Sequence, residues 1–90
     1  MEKNEVAYPA VIKQDKGQTV IHFPDLPDAD VTDADEQRAR LRAKIGLAII
    51  IIDLESHYEP VPKPSSLQSV QNRLGKGAQV EMIETDLSQY

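Results

Sequence analysis

The chain predicts an α+β domain: a small antiparallel sheet of three or four strands with one long helix packed on it. Three features predict it. Two strand-forming segments flank a short turn at Gly17, a stretch of over twenty residues without a turn signal follows, and a strand-like segment lies near the end. The ninety residues suit one domain, taken as 1–90.

Val6 to Lys13 is rich in strand formers, and Pro9 within it predicts an edge strand or a local irregularity. Gln14-Asp15-Lys16-Gly17 is the expected four-residue turn, with Gly17 suited to a positive φ. Gln18 to Phe23 alternates and completes a hairpin. Pro24 and Pro27 stop it, and Ala29 to Val31 is a brief third strand. Thr32 or Asp33 is then the expected helix cap, with Asp35 or Glu36 as its capping-box partner.

Asp35 to about Ser56 reads as one helix. The four isoleucines Ile49 to Ile52 and the alternation from Arg38 to Ile45 also fit a strand, but the length decides for a helix. Its apolar surface is wider than one face. Ile45, Ile49 and Ile52 form one stripe, and Leu47, Ile50, Ile51 and Leu54 spread over the other sides. One face packs on the sheet, and the other needs a cover, for which a second copy of the chain is the simplest candidate. Leu47, Ile50, Ile51 and Leu54 are the expected homodimer interface.

Glu59 to Pro64 carries three prolines and reads as a stiff extended connector. Ser65 or Ser66 caps a short helix, Leu67 to Leu74, which Gly75 ends. Ala78 to Thr85 is the last strand, and Asp86 to Tyr90 is too short for another element.

The net charge of −5 argues against a phosphate-binding surface, and the lack of cysteine removes thiolate chemistry, disulfides and cysteine-bound metals. Neither a signal peptide nor a membrane span is present in the sequence, which points to a cytoplasmic protein. Acidic residues cluster: Asp25, Asp28, Asp30, Asp33, Asp35 and Glu36 occur with no basic residue among them, and Arg38, Arg40, Arg42 and Lys44 follow directly. Such a rim suits a basic partner, although a solvated loop and helix start explains it as well.

Catalytic patterns are scarce. None of the serines sits in a nucleophile elbow, and His22 and His57 read as a strand-face residue and a helix C-terminal residue. Asp28-x-Asp30-x-Thr32 opens like a calcium loop, but Asp33 stands where the turn needs glycine and Ala39 where a carboxylate is needed. No cofactor and no protein-held metal are expected, and the chain is read as a non-enzyme.

Tyr8-Pro9-Ala10-Val11-Ile12, Phe23-Pro24-Asp25-Leu26-Pro27, the long helix, and Pro62-Lys63-Pro64-Ser65-Ser66 together resemble the HicB antitoxin family in order and spacing. The resemblance covers nearly the whole chain. It implies a partial ribonuclease-H-like fold and a partner, a small basic HicA-type toxin that cleaves messenger RNA. It also implies dimers or larger assemblies. The chain departs from the family pattern at Asp28-Ala29, where Gly-Cys is usual, and at Asp33-Ala34-Asp35, which replaces Gly-Asp-Thr. Many members carry a C-terminal DNA-binding module; the expectation here is a form without it or a truncated chain, with no DNA or RNA binding by these residues.

On this reading the toxin contacts Asp25, Asp28, Asp30, Asp33, Asp35 and Glu36, or else the exposed edge of the hairpin. Two other readings compete. One is an orphan binding module of the same fold, and the other is a metal-dependent nuclease using Asp25, Asp28, Asp30 or Asp33.

Overall fold

The computed structural model describes residues 4–90. Strands β1 (Glu5–Asp15) and β2 (Gln18–His22) form the hairpin, followed by β3 (Val31–Asp33), helix α1 (Glu36–Ser56), helix α2 (Leu67–Leu74) and β4 (Gln79–Asp86). The sheet is antiparallel throughout with order β3-β2-β1-β4. The first three strands are sequential neighbours, and the chain crosses over α1 and α2 before β4 lands on the far side of β1.

The hairpin turn is tighter than expected. Asp15 pairs with Gln18, so only Lys16 and Gly17 turn, with φ of 54° and 80°. Positive φ at both positions matches the twist of the flanking strands, and Gly17 adopts it without strain.

Pro9 does not put β1 at an edge: β1 is central, and Pro9 is buried opposite Met82. The ladder to β2 ends at the Val11–His22 pair. At Pro9, therefore, β1 has a strand neighbour on the β4 side alone, and a residue without an N–H is tolerated there. The central strand is locally an edge.

Residues expected to start the third strand instead form a single 3-10 turn, Pro27–Ala29, and β3 begins at Val31. The expected caps Thr32 and Asp33 lie within β3, and Asp35 caps α1 by accepting from the Arg38 N–H at 3.0 Å. For α2, Ser66 accepts from the Ser69 N–H, and Gly75 ends the helix at φ 91°.

Alternation along the strands builds two layers. Tyr8, Ala10 and Ile12 of β1, Ile21 of β2 and Ile83 of β4 face α1, whose Ala39, Ala43, Leu47 and Ile51 complete the main core with Phe23, Leu26 and Ala29. On the opposite face Val11 and Val80 meet Val70 of α2 in a smaller cluster. The connector between the helices is held in its C-terminal half. The Tyr8 hydroxyl donates to the Pro62 carbonyl, and Asp25 accepts from the Ser65 N–H (2.8 Å) and hydroxyl (2.7 Å).

Leu47 and Ile51 are buried in the core, with Ile50 and Leu54 partly buried against it, so the expected dimer face is the sheet-facing one. The small residues Ala39 and Ala43 decide the phase. They let the first half of α1 approach the sheet closely, and the same stripe continues into Leu47, Ile50, Ile51 and Leu54. The opposite phase runs back into Arg38 and Leu41, which point to solvent.

Candidate partner-binding surfaces

The acidic stretch runs along β3, with Asp30 beside His22 at one end and Asp33 opposite Thr19 at the other, and most of its carboxylates have structural tasks. Asp33 is buried at 7% exposure. It accepts from the Asp35 N–H (2.9 Å), from Arg38 Nε and Nη2 (2.8 and 2.7 Å) and from Arg42 Nη1 (3.2 Å). These donors, the Arg38 guanidinium first, hold its carboxyl well below the usual carboxylate range. Asp25 anchors Ser65, Asp35 caps α1, and Glu36 accepts from Arg40 Nε at 3.2 Å.

Asp30 ties two segments together: it accepts from the Phe23 N–H at 2.7 Å and lies 2.6 Å from His22 Nδ1. Asp28 has no such bond among the described residues and is exposed in the 3-10 turn. Among the described residues Asp28 and Asp35 are exposed without an ion pair, Asp30 lies against His22, two arginines neutralise Asp33 and a third pairs with Glu36.

The arginines that follow are struts. Arg40 forms a fork to Glu81 on β4 (2.8 and 3.0 Å) and drives the Glu81 carboxyl down to about 2. Arg38 and Arg42 secure β3 in the same way, so the polar half of α1 is fastened at both sides of the sheet. Sequence reasoning placed these bases correctly but missed their partners, because Glu81 lies 41 positions away. At the other end, His57 is the C-terminal cap of α1; its Nδ1 lies 2.8 Å from the Asp53 carbonyl, and that bond raises its pKa.

Three surfaces remain open to a partner. The first is the outer edge of β4, whose groove is lined by Leu41, Lys44, Glu84, Asp86 and Tyr90. The second is a groove of about 580 Å³ on the α2 face of the sheet, between Val11, Val20, His22, Pro27 and Leu74 with Lys13 and Arg73 at its rim. The third is the outer face of α1, where Leu41 and Ile49 are 56% and 53% exposed.

No group of three or more His, Asp or Glu among the described residues is placed to hold a metal ion. Asp25, Asp28, Asp30 and Asp33 are not gathered into a two-metal nuclease centre, which needs several carboxylates around one point. No helix among the described residues is long and apolar enough to cross a membrane.

No family model matches the sequence, and no curated protein aligns with it significantly. Solved structures share its fold. A chain of a toxin–antitoxin complex from Streptococcus pneumoniae superposes with a TM-score of 0.78 at 22% identity, over 96% of this chain and 72% of that one. The N-terminal domain of the Burkholderia pseudomallei antitoxin HicB gives 0.74 at 17% identity, over 87% and 95%. A chain of the HicA3–HicB3 toxin–antitoxin complex gives 0.70 at 21%, over 90% and 99%. The expected fold is thus observed: a four-stranded antiparallel sheet with helices, as in the HicB N-terminal domain.

Proposed function

We propose that this chain is the antitoxin of a type II toxin–antitoxin pair and works by binding and covering a small basic HicA-type toxin that cleaves messenger RNA. The observation that carries the reading is the superposition, over nearly the full chain, on proteins of toxin–antitoxin complexes. A non-catalytic role agrees with the chemistry of the acidic stretch, where Asp25, Asp30, Asp33 and Asp35 serve as caps and anchors. The contact surface in this proposal is the exposed part of that acidic stretch, Asp28 and Asp30 before β3 and Asp35 and Glu36 after it. Carboxylates there would speed capture of a basic partner more than they tighten the final complex.

Co-expression with the small basic protein encoded beside it tests this. The expected result is a co-purifying complex whose association slows as salt rises and slows further in Asp28→Lys. A toxic neighbour that the chain neither binds nor restrains would leave an orphan binding module of the same fold as the better reading.

A further inference from the structure

The two faces of the sheet are covered unequally. Helix α1 has 21 residues, whereas α2 has eight and is therefore about 12 Å long. A helix is about 10 Å across and strands are spaced about 4.8 Å, so α2 covers about two strands of the four. Those strands are β1 and β4, where Val70 meets Val11 and Val80. Beyond the helix, β2 turns Val20 and His22 to the same face, and there lies the groove of about 580 Å³.

Its lining divides by chemistry. Val11, Val20, Pro27 and Leu74 make it mainly apolar, and Leu74 is 49% exposed directly before Gly75 ends α2. Asp30 and His22 lie on the β3 side, where the Asp30 carboxylate accepts from the Phe23 N–H and sits 2.6 Å from His22 Nδ1. Lys13, paired with Val20 across the hairpin, and Arg73 of α2 lie on the opposite side, both exposed. In a chain of net charge −5, Arg38, Arg40 and Arg42 all hold carboxylates. Neither Arg73 nor Lys13 holds one among the described residues. Arg73 complements the dipole of α2 from its last turn, but Lys13 has no such task.

We propose that this groove binds an extended segment of a partner protein in which a branched aliphatic side chain stands next to acidic residues. The aliphatic side chain enters between Val11, Val20 and Leu74, and the carboxylates pair with Lys13 and Arg73. Asp30 repels a carboxylate on its own side, so the acidic residues lie towards α2. Burial of the apolar part drives binding, and the exposed rim pairs contribute less but decide which segments are accepted. A basic segment would set like charges against both cations, so the groove is separate from the surface proposed for a basic toxin.

Amide chemical shifts of the isotope-labelled full chain, titrated with acetylated and amidated peptides, test the proposal. Ser-Leu-Glu-Asp-Ser binds with a Kd on the order of 1 mM and shifts the amides of Val11, Lys13, Val20, His22 and Leu74. Ser-Leu-Gln-Asn-Ser binds about 5-fold more weakly at low salt, and the difference disappears at high salt. Ser-Ala-Glu-Asp-Ser binds about 10-fold more weakly at any salt, because the apolar contact is lost. Lys13→Glu combined with Arg73→Glu turns the preference towards Ser-Leu-Lys-Lys-Ser. Both positions are exposed, so the spectrum of that variant keeps its folded dispersion. No shift from any of these peptides at about 10 mM would overturn the proposal. So would shifts confined to the β4 edge or the outer face of α1, equal binding of the acidic and basic peptides, or an unchanged preference in the double variant.

Discussion

On the inner face of α1, Ala39, Ala43, Leu47 and Ile51 are buried against the sheet; on its outer face, Leu41 and Ile49 are more than half exposed. Both faces draw on the same isoleucine-rich run, and hydrophobicity does not separate them. Volume does. The inner face begins with two alanines that admit a close approach to β1, β2 and β4, and the outer face begins with Arg38 and Leu41, which do not. The lesson is that in a helix with two apolar faces, the small residues mark the one that packs within the chain.

Truncations on the two faces should differ most. Leu47→Ala is expected to cost about 2–5 kcal/mol through lost burial and the cavity left behind. Ile49→Ala should change stability by less than about 0.5 kcal/mol, because that side chain is more than half exposed. Urea unfolding of both variants decides this, and equal losses would mean that the faces are wrongly assigned. Enlarging the small residues comes next. Ala43→Leu should destabilise by about 1–3 kcal/mol, because Ala43 is fully buried and the added atoms meet a packed sheet.

Between the faces lies Gly46. A Cβ there would sit 3.7 Å from the Ala29 carbonyl oxygen, an ordinary contact. Gly46→Ala should therefore raise stability by about 0.5–1 kcal/mol, from helix propensity alone, seen as a higher urea midpoint.

The smallest effect is electrostatic and belongs to the struts that seat the inner face. Asp33 and Glu81 have folded-state pKa values below their ordinary ones, Glu81 at about 2 against 4.5. Their contribution is complete above the ordinary carboxylate range and is lost as pH falls from about 4.5 towards 2. Glu81→Gln should flatten this part of the pH–stability profile only slightly, since the Arg40–Glu81 pair is about one-third exposed.

Much of the fold was legible in the sequence because its signals are local. Ser66 and Gly75 bracket α2 at its observed ends, and the absence of any breaker from Glu36 to Ser56 marks α1. What was not legible depends on distant neighbours. Pro9 suggested an edge strand, yet it sits in a central one because β2 ends two residues short of it. The cap moved from Asp33 to Asp35 because Arg38 and Arg42 draw Asp33 into the sheet. The same cause reshaped the candidate site: the six carboxylates are adjacent in sequence, but Asp25 and Asp33 are occupied by Ser65 and the arginines, which sequence proximity does not reveal. The inverted faces of α1 had a readable signal, the Ala39–Ala43–Leu47 spacing, that hydrophobic count alone overlooks.

The most direct test of the proposed function is a titration of the small basic protein encoded beside this chain, cleaving a messenger RNA, with increasing amounts of this chain. The account predicts that cleavage falls in proportion and stops near one chain per toxin, with Asp28→Lys inhibiting more slowly at low salt. Undiminished cleavage at a large excess of the folded chain would contradict it.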